Sequence, residues 1–177
     1  MGPLTAGSFD VGPARAHADL NTTTGREHSP AENTGPQRVR VGTDLVRVAD
    51  VAASVEHFGD RYLKRLFTDH EVSCCRGGPA TVAAGLAARF AAKEATIKVL
   101  QPRGAIPDWR SIEVRRDVHG RCDLLLSGSA ARLAREAGIT DTALSLSHEG
   151  AMAVAVVVAL CGIPGAEVAR NIADETR

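Results

Sequence analysis

Arg89-Phe90-Ala91-Ala92-Lys93-Glu94-Ala95, running on to Ile97 and Lys98, is the stretch on which the reading of this chain turns. It lies within an alanine-rich run from Thr81 to Leu100 that predicts one long helix. At helical spacing Leu86, Phe90, Ile97 and several alanines form an apolar stripe, and Glu94 falls on it one turn after Phe90. A carboxylate there loses water and needs a cation, a metal or strong hydrogen-bond donors. Lys98 follows one turn later on the same face, while Arg89 and Lys93 line the adjacent one. One acid inside a small basic field suits a divalent metal and a phosphorylated ligand.

The rest of the composition sets the frame. A chain of 177 residues holds one domain with a substantial core, but not comfortably two. Aromatic residues make up only 3 %, so that core must be built of Val, Leu, Ile and Ala. Acidic and basic residues balance at 21 each, which gives no argument for a nucleic-acid partner. Cys74, Cys75, Cys122 and Cys161 show no metal-finger spacing and read as reduced thiols of a cytoplasmic protein. No secretory signal is visible. The apolar run Ala151 to Leu160 is far short of the roughly 18 residues that span a bilayer, so it reads as a buried strand and no membrane partner is expected.

Along the chain, residues 1–36 are rich in Gly, Pro, Thr, Ala and Asn without apolar periodicity, and are expected to be a disordered extension. The folded domain is expected over 37–162, followed by a tail, 163–177, in which Val168 and Ile172 could make a helical turn. Val39, Val41 and Thr43 alternate with Arg38, Arg40 and Gly42, a strand expected to end at Asp44. Helices are expected over Val51 to Phe58 and Arg61 to Phe67, with a capping box from Thr68 to Glu71. After the long helix come a loop at Pro102, Gly104 and Pro107, and a hairpin of Ile112 to Asp117 with Cys122 to Ser127 around His119-Gly120. A short helix, Ser129 to Ala137, stops at Gly138, and Ala143 to Ser147 pairs with Ala151 to Leu160. Long helices mixed with antiparallel hairpins define an α+β domain.

Asp44, Glu94 and His148 are the groups that could converge. Two carboxylates with open positions and phosphate-binding cations nearby suit Mg2+, which keeps waters and takes substrate phosphate as its remaining ligand. Spacing alone also allows Asp44 to be a turn or cap residue, Glu94 to be a plain ion pair with Lys93 or Lys98, and His148 to be an idle turn residue.

Four segments in register narrow the choice. Gly42-Thr43-Asp44-Leu45-Val46, Arg89 to Ala95, Trp109 to Val114 and Ser145-Leu146-Ser147-His148-Glu149 occur in the order and spacing of the holo-[acyl-carrier-protein] synthases, and the chain resembles that family from about Val39 to Leu160. These are small, single-domain 4'-phosphopantetheinyl transferases. The resemblance implies Mg2+-dependent transfer of phosphopantetheine from coenzyme A to a serine of an apo acyl carrier protein, of fatty-acid or polyketide type. It implies Asp44 and Glu94 as metal ligands and catalytic residues, with Lys98 beside them. Arg89, Lys93, Lys98 and His148 are implied at the nucleotide and its phosphates, and the turn carrying Gly120 and Arg121 near the adenine. Glu94, or a water near it, is the implied proton acceptor. Arg61 and Arg65, with Lys64, are implied as the docking site of the acidic carrier, and a homotrimer with shared active sites as the assembly.

The chain departs from the family pattern in Thr43 before the aspartate, in the turn His119-Gly120-Arg121-Cys122 where N-G-x-P is usual, in the stiff loop Gln101 to Asp108, and in Asp50 on the first helix. The altered turn bears on nucleotide affinity and Asp50 on carrier preference. Two other readings compete with the transferase: a carrier-binding module without activity, and an oligomeric domain in which Glu94 is a paired interface charge.

Overall fold

The computed structural model describes residues 38–162. The extension at 1–36 and the tail at 163–177 with its turn lie outside the described residues. The elements are β1 (Arg38–Arg47), α1 (Val48–Phe58), α2 (Asp60–Leu66), α3 (Asp69–Cys74), α4 (Pro79–Leu100), β2 (Ile112–Arg116), β3 (Cys122–Leu126), α5 (Gly128–Glu136), β4 (Ile139–Glu149) and β5 (Met152–Cys161), with a 3-10 turn at Trp109–Ser111. This is the α+β arrangement expected, with antiparallel strands around a long central helix.

β5 is the middle strand of an antiparallel sheet ordered β1-β5-β4, which is why it reads as a nearly continuous apolar run. Its alternate residues Ala153, Ala155, Val157 and Ala159 are fully buried. Ala155, Val157 and Ala159 join Ala91, Ala92, Ala95 and Val99 of α4 in one core cluster. The same cluster takes in Ile112 and Val114 of β2 and Leu124 and Leu126 of β3, so α4 is enclosed between the sheet and the hairpin. Small side chains bring the backbones close. At Gly42 an added Cβ would overlap the Ala95 carbonyl oxygen, so only glycine lets β1 lie this near α4. A second cluster packs Val51, Leu66 and Phe67 onto Leu86 and Ala87 at the start of α4.

Three expectations change. β1 does not end at Asp44 but runs on to Arg47, with Asp44 paired to Ala155 inside the ladder. β4 begins at Ile139 rather than Ala143; its polar start, Thr140 to Thr142, is tolerated on an edge strand, where Thr140 Oγ1 donates to the Leu160 carbonyl. The third concerns α4 itself, which is buried around most of its girth rather than along the apolar stripe alone. Phe90, Glu94 and Ile97 are half-buried and Lys98 is exposed, whereas Arg89 and Lys93 are buried. The alanines all round the helix left its buried side undetermined by pattern.

The buried side is held by charge. The capping box forms: Glu71 N–H donates to Thr68 Oγ1 at 3.2 Å and Thr68 N–H donates to Glu71 Oε2 at 2.9 Å. Glu71 is also fully buried, accepts from the Val114 N–H at 3.1 Å and pairs with Lys93 Nζ at 2.9 Å. Lys93 is fully buried too, donates to the Trp109 and Ile112 carbonyls, and lies 5.8 Å from the centre of the Phe67 ring. Burial pulls its pKa down, and the Glu71 carboxylate opposes that pull. One ion pair therefore ties α3, α4, the 3-10 turn and β2 together. No described helix is long and apolar enough to cross a membrane.

Candidate active site

Asp44 from β1 and Glu94 from α4 meet in an open cleft of about 720 Å3, which Asp50, Tyr62 and Phe90 also line. The close approach at Gly42, two residues before Asp44, brings the strand near enough for this. Lys98 Nζ donates to Asp44 Oδ1 at 2.9 Å and to the Thr43 carbonyl at 2.7 Å. Glu94, one turn before Lys98, accepts no hydrogen bond from the described residues. Its pKa is raised, first by burial and then by the Asp44 charge, with Lys98 opposing. Two carboxylates that repel each other in a half-dry cleft favour a cation between them. Both donors are oxygen, and no group of three or more His, Cys, Asp or Glu suited to a metal occurs among the described residues. That donor set fits Mg2+, which needs only one or two protein carboxylates when it retains waters and phosphate ligands.

A second cleft, of about 450 Å3, lies on the other side of α4 from the acid pair's helix face. Arg89, Gly120 and His148, expected at the nucleotide, all line it. Arg76 and Arg116 join them, neither of which sequence reasoning identified. Arg89 is only 6 % exposed; one terminal nitrogen donates to the Gly85 carbonyl at 3.1 Å, but its Nε has no partner. That Nε is itself enclosed, so what Arg89 offers the cleft is the charge of its guanidinium, which favours an anion there. Arg116 shares a strand face with the buried Val114, so period-two reading of β2 could have pointed it toward α4.

Two expected nucleotide contacts fall elsewhere. Lys93 is consumed by Glu71 in the core and faces neither cleft. Arg121 is on the exposed turn of the hairpin, where its Nε donates to Asp117 Oδ2 at 2.9 Å, and it does not line the cleft.

Arg61, Lys64 and Arg65 come together along a groove of about 690 Å3 with Ile106, Trp109 and Arg110. Lys64 pairs with Asp60 at 3.3 Å and Arg110 with Asp69 at 3.5 Å, so Arg61 and Arg65 carry the groove's free charge. Ile106 is 55 % exposed, an apolar side chain in a groove with four cations. Trp109 packs on Phe90, ring centres 5.4 Å apart, and Phe90 lines the acid cleft. The groove and the acid cleft thus share an aromatic wall.

The acid pair and the basic cleft together are chemistry suited to a metal and a phosphorylated ligand, and comparison with known proteins gives the family. The model of the 4'-phosphopantetheinyl transferase superfamily matches residues 40–157, and the chain belongs to that superfamily, in its holo-[acyl-carrier-protein] synthase family. It is similar to the holo-[acyl-carrier-protein] synthase of Desulforudis audaxviator, 44% identical over 120 residues that cover 68% of this chain and 91% of the relative. The enzyme of that name from Halothermothrix orenii is 40% identical over 118 residues, 67% of this chain and 94% of the relative. Among solved structures, the coenzyme A complex of the Chronobacterium ammoniagenes enzyme superposes with a TM-score of 0.61 at 32% identity, covering 69% of this chain and 96% of that one.

Proposed function

We propose that the protein is a holo-[acyl-carrier-protein] synthase that transfers phosphopantetheine from coenzyme A to a serine of an apo acyl carrier protein, releasing adenosine 3',5'-bisphosphate. The observation that carries this reading is the convergence of Asp44 and Glu94 from separate elements on one open cleft, in a chain of this family. The serine oxygen forms a bond to the β-phosphorus as the pyrophosphate bridge breaks, and the serine proton goes to Glu94. Asp44 and Glu94 would hold Mg2+, which when bound neutralises the pyrophosphate charge and stabilises the leaving group. Lys98 holds Asp44 in place and adds positive charge beside the phosphates.

Arg89, with Arg116, Arg76 and His148, receives the nucleotide end of a coenzyme A whose pyrophosphate lies in the acid cleft of a neighbouring copy, so that each active site is shared between two copies. Arg61 and Arg65 steer the acidic carrier into the groove at Trp109, with Arg110 and Ile106 as further contacts. The chain acts as a cytoplasmic homotrimer. Supporting that assembly, the sheet face away from α4 exposes Val39, Val41 and Leu45 at about 60 % each, beside Val154 and Val156, an apolar surface suited to a second copy. Paired substitutions Val41→Glu and Leu45→Glu are expected to give monomers in sedimentation velocity with most transfer activity lost; a trimer of unchanged mass would refute that interface.

The test of the activity is the intact mass of an apo acyl carrier protein after incubation with the protein, coenzyme A and Mg2+. Gain of one phosphopantetheine arm, abolished by EDTA, is the expected result. Carrier binding with no transfer and no coenzyme A affinity in calorimetry would leave the carrier-binding module instead, whereas coenzyme A binding without transfer would point to another carrier.

A further inference from the structure

The wall of the basic cleft carries chemistry that phosphate binding does not use. Cys74 ends α3, Cys75 follows it, and Cys122 opens β3. All three are free, half-buried thiols, and all three line the cleft with Arg76, Arg89 and Arg116. Cys74 differs from the others in its partner: its Sγ lies 3.6 Å from Nε2 of His70, one turn earlier on α3. A thiol with a base within reach of its proton is the arrangement of an activated nucleophile. Cys75 and Cys122 make no such contact, and burial pushes both of their thiols up, with Arg89 opposing. Cys75 Sγ is also packed over α4, only 3.1 Å from where a Cβ on Gly85 would stand.

We propose that Cys74 is a site of reversible modification by small anionic disulfides, and that the adduct closes the cleft to coenzyme A. The proposal rests on the reading of this cleft as the nucleotide site. As the Cys74 proton passes to His70 Nε2, Cys74 Sγ attacks one sulfur of a disulfide R–S–S–R. The Cys74–S–S–R bond forms, the S–S bond of the small molecule breaks, and R–S− leaves with the electron pair, to be protonated to the free thiol. One disulfide is consumed and one made, so no further oxidant is needed. Arg76, Arg116 and the charge of the Arg89 guanidinium favour a disulfide that bears carboxylates, as glutathione disulfide does. An adduct of that size occupies most of a cavity of about 450 Å3.

The experiment uses the reduced full chain at neutral pH with glutathione disulfide, followed by intact mass and peptide mapping, and coenzyme A titration calorimetry before and after. Expected is a single adduct on Cys74, forming about threefold or more slowly in His70→Gln and about tenfold more slowly under saturating coenzyme A. Cys74→Ser is expected to take up no adduct on that timescale. The adducted protein should bind coenzyme A about tenfold or more weakly, with dithiothreitol restoring the reduced affinity. Equal labelling of Cys75 or Cys122, indifference to His70→Gln, or unchanged coenzyme A affinity of the adduct would each overturn the proposal. If the reduced protein itself fails to bind coenzyme A, the nucleotide reading of the cleft is what fails, and the labelling pattern still decides the reactivity of Cys74.

Discussion

Lys93 and Glu94 are neighbours in the chain, and α4 sends them into opposite surroundings. Lys93 enters the core, pairs with Glu71 at 2.9 Å and has no exposed surface. Glu94 enters an open cleft, meets Asp44 and has no hydrogen-bond partner among the described residues. The buried pair is fully satisfied, since Glu71 also accepts from Thr68 and Val114 and Lys93 donates to two carbonyls. Such a network holds geometry, because losing one member strands a charge in the core. The open pair is the reverse: two like charges drawn together at some cost to the fold, useful only when a cation and an anionic ligand arrive. Fold and chemistry are thus divided between adjacent residues of one motif. The first fixes the pitch of α4 against the 3-10 turn, and that in turn aims the second.

Substitutions at the two positions should separate these roles. The largest effect is expected at the open pair: Asp44→Ala and Glu94→Ala should lower carrier modification by about 1000-fold or more, about 4 kcal/mol in barrier, while denaturant unfolding stays cooperative. Wild-type transfer in either variant would remove the acid pair from the mechanism. Next, Lys93→Met should cost about 3–5 kcal/mol in urea unfolding, because Glu71 is left buried without its cation. Adding Glu71→Gln should recover part of that loss; a single variant as stable as wild type would show that the pair does not hold the helix. At the carrier groove, Arg61→Glu with Arg65→Glu should raise KM for the carrier about tenfold, with a weaker salt dependence than wild type and coenzyme A affinity unchanged. An unchanged KM would move the docking site elsewhere.

The smallest effect is one of pH. Burial and the Asp44 charge raise the pKa of Glu94 in the folded state, so the folded protein holds a proton that the unfolded chain has released. The stability this adds is fully present below the ordinary glutamate value and is lost as pH rises through the raised value. Glu94→Gln, which has nothing to ionise, should therefore melt at or above the wild-type temperature at neutral pH without added Mg2+. That advantage should shrink in acid, and differential scanning calorimetry across the range reads it directly. An advantage that grows in acid would reverse the sign of the coupling.

The strands and the two hairpins were legible because they rest on local pattern, whereas the pairing of β1 with β5 joins distant residues and was not. Asp44 and Glu94 came from the family resemblance, because their spacing left other roles open. The alternation of β1, the turn at Gly150 and the small inward residues of β5 each follow from period two or turn chemistry. Which side of α4 is buried was not legible, since alanines surround the helix and the deciding partner of Lys93 sits on α3. Glu71 read only as the end of a capping box, and its second role depends on tertiary packing. The alternation of β1 was expected to run only as far as Asp44, yet Leu45 keeps its phase and β1 continues, the inward Asp44 being paired with Lys98. Arg121 was taken from the turn of the family pattern, but here Asp117 claims it, while Arg116 and Arg76 occupy the cleft.

The most direct test of the division between Lys93 and Glu94 is a paired measurement on Glu94→Gln: its melting temperature, and the rate at which it modifies an apo carrier protein with coenzyme A and Mg2+. The account predicts a melting temperature no lower than wild type together with loss of nearly all transfer. Transfer at the wild-type rate, or a fall in melting temperature as large as that of Lys93→Met, would contradict it.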